Sequence, residues 1–205
     1  MIIVIDYGMG NVGSVLNMLK KVGAEASSSS DPRTIAQAQK LILPGVGAFD
    51  QGISNIDAHH LKDVLTRRVL EEKAPFLGIC LGAQLLARTS EEGILPGLGW
   101  IDAKVIRFRF PYSLGGLKVP HMGWNNIIFK QENPLLQDLD DEPRFYFVHS
   151  YYIDCNNRKN IVATSLHGLE FAAVINQDNI WGTQFHPEKS HKFGMRVLKN
   201  FVERC

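Results

Sequence analysis

Short, wholly apolar runs alternate with stretches of helical spacing through the first half of the chain. Ile2-Ile3-Val4-Ile5 leads into Asp6 and predicts a strand over Ile2–Asp6. Val12, Val15, Leu16, Leu19 and Val22 recur at helical spacing and predict a helix over Asn11–Val22. Leu41-Ile42-Leu43 is a further short strand, closed by Pro44-Gly45. A helical stretch around Leu61–Leu70 precedes a buried strand at Ala74–Leu77 and a helix at Ala83–Ala87. Strands alternating with helices predict a parallel sheet covered on both faces. Their unbroken apolar character agrees, because neither face of such a strand meets water.

The second half changes texture. Ala103–Phe108, Asn125–Phe129, Arg144–Val148, Ile161–Thr164, Phe171–Ile175 and Ile180–Phe185 read as strands separated by short polar turns. Helix returns at about His191–Arg204, with Val197, Leu198 and Phe201 as its apolar stripe. Pro111–Gly116 reads as a loop, and no repeat or linker divides the chain. The pattern predicts one α/β domain over residues 1–205 with an inserted or appended mixed region.

Composition narrows the function classes. The 205 residues are enough to bury a substantial core, and the formal net charge is only +1 with the signs mixed. No basic run asks for nucleic acid. No stretch approaches the ~20 apolar residues that span a bilayer, and the opening residues carry no charged, apolar leader pattern. Cys80, Cys155 and Cys205 are too scattered for a disulfide framework. These features predict a cytoplasmic setting in which a thiol is available for chemistry.

Ligands of open α/β sheets bind beyond the carboxyl ends of the strands, so residues there carry most weight. Gly78-Ile79-Cys80-Leu81-Gly82 joins a strand to a helix and has the form of a nucleophile elbow with sulfur as the nucleophile. The glycines would tolerate a cramped backbone, and the helix N-terminus would favour a thiolate and an oxyanion. The plain alternative is a buried cysteine in a turn. Pro44-Gly45-Val46-Gly47 ends another strand and leaves backbone N–H groups open to a ligand. Asp6–Asn11 ends the first strand but lacks the glycine pattern of a dinucleotide site.

Trp181–Phe185 runs into His186-Pro187-Glu188. A histidine at a strand end can take a thiol proton, and a carboxylate two residues on, on the same side of an extended segment, can orient the imidazole. The competing reading is a capped helix start at Ser190 with Glu188 solvated. Beside a cysteine elbow the catalytic reading prevails, because thiol, base and orienting acid complete one constellation. His59 and His60 read as surface residues, and His121 and His149 as structural hydrogen-bonders. No pair has metal-site spacing, so neither metal nor other cofactor is expected.

Together these residues resemble the class I (triad) glutamine amidotransferases and, within them, the glutaminase subunit of imidazole glycerol phosphate synthase. The matching segments are Asp6–Asn11, Pro44–Phe49, Gly78–Gly82, Lys118–Asn125, Phe145–Tyr151 and Gln184–Ser190. The resemblance implies a flavodoxin-like α/β fold: a mostly parallel central sheet flanked by helices, with a small additional antiparallel sheet. It implies that Cys80 attacks the side-chain amide of L-glutamine, with His186 as base and acid and Glu188 holding the histidine. N–H groups of Leu81 and of Val46-Gly47 would meet the oxyanion, and Gly47, Gln84, Ser150 and Tyr151 would hold glutamine. Trp124, Tyr146 and Lys189 would face a (β/α)₈-barrel cyclase partner, which receives the ammonia in L-histidine biosynthesis. A peptide flip in the Pro-Gly-Val-Gly segment is the expected switch for partner activation.

Some positions depart from the commonest pattern of that family. Ala83 stands where methionine is usual, and Gly13 sits inside a helix at a cost of about 1 kcal/mol relative to alanine. The tail His191-Lys192-Phe193-Gly194-Met195 resembles a paralogous branch that supplies ammonia for amidating a surface sugar. That acceptor, a catalytically silent regulatory subunit, and a free-standing hydrolase of γ-glutamyl compounds stand as the alternatives.

Overall fold

Every apolar run of the first half lies in one sheet. The computed structural model describes residues 1–111, 117–140 and 142–205. In chain order it forms β1 (Ile2–Ile5), α1 (Val12–Lys21), β2 (Ala26–Ser29), α2 (Pro32–Ile35), β3 (Lys40–Gly45), α3 (Phe49–Ala58) and α4 (Lys62–Thr66). There follow β4 (Phe76–Cys80), α5 (Leu81–Gln84), β5 (Thr89–Ser90), β6 (Ala103–Arg107), β7 (His121–Asn126), β8 (Ile128–Phe129) and β9 (Arg144–His149). β10 (Tyr151–Cys155), β11 (Ile161–His167), β12 (Leu169–Gln177), β13 (Ile180–Thr183) and α6 (His191–Arg204) complete it.

The large sheet has the order β2-β1-β3-β4-β13-β12-β11-β8. Its first five strands are parallel, and β12, β11 and β8 follow, each antiparallel to its neighbour. Beside it stand a β10-β6-β5 sheet and a two-stranded antiparallel ribbon of β7 and β9. The expected mostly parallel sheet with a small addition is thus present, the addition being split into an antiparallel ribbon and a mixed sheet in which β10–β6 is antiparallel and β6–β5 parallel.

Alternate residues of the central strands enter opposite cores. Ile3, Ile5, Leu41, Leu43 and Phe76 pack on the face covered by α3, α4 and α5. Ile2, Val4, Ile42, Leu77 and Ile79 pack on the other, under α1 and α6. Side chains alternate across a strand, so only a continuously apolar run can serve both faces. Val197, Leu198 and Phe201 of α6 are fully buried, worth roughly 1.5–3 kcal/mol each.

Local chemistry accounts for the helix ends. The Asn11 side chain accepts from Ser14 N–H at 3.1 Å and starts α1, while Lys20 and Lys21 lie in its last turn beside the free carbonyls. Gly13 has no atom within 4 Å of the position a Cβ would take, and its φ is not positive. We predict that Gly13→Ala raises unfolding stability by about 0.5–1 kcal/mol, read from the urea midpoint at unchanged m-value.

Several expectations are corrected. The expected strand Asn125–Phe129 is broken: β7 ends at Asn126 and pairs with β9, while Ile128–Phe129 pairs with β11. The helix around Leu61–Leu70 is α4 followed by a π-helical turn at Arg67–Glu71. The helix after Cys80 begins at Leu81 and is a single regular turn, extended by looser bonds through Ala87. Most of the loop expected at Pro111–Gly116, from residue 112 on, lies outside the described residues.

Candidate active site

The carboxyl ends of β3, β4 and β13 lie side by side, next to the point between β1 and β3 where the strand order reverses. Gly45 pairs with Cys80 across β3 and β4, and β13 brings His186 in from the other side. A cavity of about 380 Å³ opens there, lined by Val46, Gly47, Cys80, Leu81, Gln84, Glu92, Pro120, Val148, His149, Ser150 and Tyr151. All the residues expected at a glutamine site, the nucleophile included, therefore meet in one cavity.

Cys80 holds φ 53° and ψ −108°, in the left-handed half of backbone space that a side chain rarely enters. Such strain costs of order 1–3 kcal/mol and persists only where surrounding packing imposes it. Gly78 and Gly82 themselves have no positive φ. They are needed for space: a Cβ on Gly82 would stand 1.9 Å from the Leu43 carbonyl oxygen, and one on Gly78 2.6 Å from the Gly82 oxygen. The elbow's glycines thus tolerate a cramped backbone by letting α5 lie directly against β3 and β4.

His186 Nδ1 is 2.8 Å from Glu188 Oε1, and both side chains are almost fully buried. Glu188 is not solvated, so that part of the competing reading fails; Ser190 does stand at the N-cap of α6, but its side chain caps no helix N–H. Pro187–Lys189 forms a 3₁₀ turn rather than the expected extended segment. The pair closes across that turn. Tyr146 braces it: its carbonyl accepts from His186 N–H at 3.0 Å, and its N–H donates to Ser190 Oγ at 3.0 Å.

His186 Nε2 has no hydrogen-bond partner among the described residues. Burial disfavours the charged imidazole most, yet Cys80 and then Glu188 outweigh it and push the pKa up to about 10. The arrangement favours the imidazolium form of His186 beside the Cys80 sulfur.

The family model for glutamine amidotransferase class-I matches residues 3–205. The chain belongs to the class I glutamine amidotransferases. Curated relatives of this amidotransferase include "Imidazole glycerol phosphate synthase subunit HisH 2" of Methanococcus maripaludis, 52% identical over 100% of both chains. A protein of that name in Pseudomonas aeruginosa is 52% identical over 99% of both. "Imidazole glycerol phosphate synthase subunit HisH" of Methanosarcina acetivorans is 49% identical, covering 100% of this chain and 98% of that one. Among solved structures, PurLQS from Thermotoga maritima superposes with a TM-score of 0.74 at 18% identity, covering 98% of this chain and 96% of that one. That likeness extends to the fold.

Three residues at or beside this cavity are not among those assigned from the sequence. Gln184 is buried; its Nε2 lies 3.7 Å from Cys80 Sγ and its Oε1 accepts from Gln84 Nε2 at 3.1 Å. It stands in the Gln-Phe-His-Pro-Glu run, so the signal was present. Tyr7, from the first strand's end, buries its hydroxyl without a hydrogen-bond partner among the described residues; burial, then the Cys80 charge, keeps its phenol neutral. Glu92 lines the cavity and accepts from Phe49 N–H at 2.9 Å, its pKa raised chiefly by burial.

Trp124, Tyr146 and Lys189 form one surface cluster beside the site. Trp124 is 47% exposed and pairs across the ribbon with Tyr146, over whose ring Lys189 Nζ stands at 5.7 Å. His191 stacks on Trp124 at 5.2 Å, a contact the spacing did not announce. Among the described residues no three of His, Cys, Asp and Glu converge to hold a metal ion, and no helix is long and apolar enough to cross a membrane.

His121 and His149 are both buried. Burial, helped by the charge of His167, lowers the His121 pKa to about 4. Burial lowers that of His149 to about 3, against the opposing bond to the Tyr151 carbonyl. Below the ordinary 6.5 the unfolded chain takes up these protons first, so their contribution to stability is complete above about 6.5 and falls as pH drops toward 4. Urea midpoints should decline between pH 6.5 and 5, above the carboxylate range. Equal midpoints at those two values would contradict the neutral assignment.

Proposed function

We infer that this amidotransferase is the glutaminase subunit of an imidazole glycerol phosphate synthase. It hydrolyses L-glutamine and passes ammonia to a (β/α)₈-barrel cyclase in L-histidine biosynthesis, in the cytoplasm. The observation that carries the chemistry is the strained Cys80 sharing one site with the buried His186–Glu188 pair. Identity of 42–52% with subunits named HisH supports the pathway.

The thiolate of Cys80 attacks the γ-amide carbon of glutamine, and the oxyanion is met by N–H groups of Leu81 and the Val46-Gly47 segment. Gln84, Ser150 and Tyr151 hold the amino acid. His186, protonated, gives its proton to the leaving nitrogen, and ammonia departs as the thioester forms. Water then attacks the thioester, His186 accepts its proton, and glutamate leaves with the thiolate restored. Glu188 fixes the imidazole so that Nε2 faces the reacting atoms.

Val46-Gly47 is the segment through which a partner would switch the site on. Gly47 has φ +112°, and a Cβ there would meet Met9 Cε at 2.7 Å, a flexible neighbour. Gly47→Val should therefore fold, yet hold the peptide away from positive φ. Its expected effect is loss of partner-dependent stimulation with alkylation of Cys80 by iodoacetamide intact; undiminished stimulation rejects the switch.

The function is tested by glutamate release from glutamine by the protein alone, with the cyclase, and with cyclase plus its nucleotide substrate. A large rise only in the last mixture supports the histidine-pathway assignment. Both 52% relatives bear the numeral 2 in their names, which favours testing a second acceptor. No rise with the cyclase, while Cys80 still reacts with a glutamine-like alkylating agent, transfers the assignment to a sugar-amidating partner.

A further inference from the structure

Three side chains run in a line from the β7–β9 ribbon to the glutamine cavity. Asn125 Nδ2 lies 3.2 Å from His121 Nε2, His121 Nδ1 lies 3.2 Å from His149 Nε2, and His149 Nδ1 lies 2.8 Å from the Tyr151 carbonyl oxygen. Both ends of the line dictate its polarity. A carbonyl oxygen only accepts, so His149 carries its proton on Nδ1 and accepts at Nε2. His121 must then donate from Nδ1 and accept at Nε2. The Asn125 amide is independently oriented to supply that proton, because its Nδ2 donates to Leu166 O at 2.8 Å and its Oδ1 accepts from Asn126 N–H at 2.9 Å. Every donor in the line therefore faces an acceptor.

The surroundings make the two imidazoles notable. His121 packs 4.9 Å from Phe147, 4.4 Å from His167 and 5.5 Å from Phe171, while His149 lies 5.3 Å from Phe108. Phenylalanine would fill such a cluster without burying polar nitrogens, which cost free energy unless bonded. What imidazole adds is direction. The end of the line is the carbonyl that also accepts from Gln84 Nε2 at 2.9 Å, so the cavity's Ser150–Tyr151 wall is pinned from two sides.

We propose that His121 and His149 are positioning residues: their one-way relay from Asn125 to the Tyr151 carbonyl holds Ser150–Tyr151 in the geometry that binds glutamine. The proposal rests on the glutaminase reading. Neither histidine need touch the reacting atoms for this role, and the relay begins one residue from Trp124, on the face assigned to the partner.

The test measures glutamine hydrolysis by the partner complex, with His121→Phe, His121→Asn and Asn125→Asp. His121→Phe keeps a ring in the cluster and removes both nitrogens; KM for glutamine should rise about tenfold with kcat within about twofold. His121→Asn restores a donor near Nδ1 and should recover part of the loss. Asn125→Asp is nearly isosteric at a partly buried position, so it keeps the fold while presenting an acceptor to His121 Nε2. It should raise KM and convert His121 to the Nε2–H or doubly protonated form, seen in ¹⁵N-edited spectra of the imidazole rings. The unaltered protein should show both rings as Nδ1–H. An Nε2–H form of either ring in that protein, or unchanged KM in both His121→Phe and Asn125→Asp, overturns the relay. So does parallel loss of kcat, affinity and melting temperature without recovery in His121→Asn, the mark of packing alone. An unaltered complex that releases no glutamate overturns the glutaminase reading instead, whatever the ring tautomers.

Discussion

Cys80→Ser lowers glutamate release from glutamine by about 10⁴-fold or more while leaving the fold intact. The exchange replaces sulfur by oxygen at a site 6% exposed, so packing barely changes. The chemistry changes completely, because a hydroxyl gives up its proton far less readily than a thiol and is the weaker nucleophile. His186→Gln should bring a comparable loss. The double variant should be little worse than either single one, since groups that act as a unit are not additive. A coupled glutamate assay beside a thermal melt separates this result from unfolding. Turnover that survives Cys80→Ser, with an unchanged melt, removes Cys80 as the nucleophile.

Gly82→Ala is expected to destabilise the protein by about 3 kcal/mol or more, the range of severe overpacking. The added Cβ would stand 1.9 Å from the Leu43 oxygen. Leu43 cannot yield easily, because β3 is hydrogen-bonded between β1 and β4 at the centre of the sheet. α5 must shift instead, and Cys80 immediately precedes it. For a chain of this size the melting temperature should fall by roughly 6–12 °C. Glutaminase activity should fall further than the melt explains when assayed well below the transition. Gly13→Ala, with open space at its Cβ position, is the matched control and should move the melt upward. A Gly82→Ala protein with a native melting temperature would show that α5 and β3 are not locked together.

The site divides according to how far each contact reaches along the chain. The His186–Glu188 bond spans two residues, and Cys80 follows directly on an apolar strand, so both were visible in short stretches. Gln84 was placed in the site through family resemblance. Its bonds to Tyr151 and Gln184 span 67 and 100 residues, which no local pattern encodes. α3 went unread although Phe49, Ile53 and Ile56 sit at helical spacing, because its start carries no side-chain cap. β2 went unread because Ala26-Ser27-Ser28-Ser29 has neither alternation nor β-branched residues, and its strand form comes from pairing along β1.

The amino-acid sequence by itself determined the layered α/β plan and the identity of the reacting groups. Continuous apolar strands can be satisfied only between two layers of helices, and thiol, imidazole and carboxylate carry their chemistry in their own atoms. Tertiary structure alone decided which carboxylate and imidazoles lose their water, why the elbow needs glycine, and how Asn125 is joined to Tyr151. Those properties arise from strand register and close packing between distant segments. Desolvation, steric exclusion and hydrogen-bond direction exist only once the segments have met.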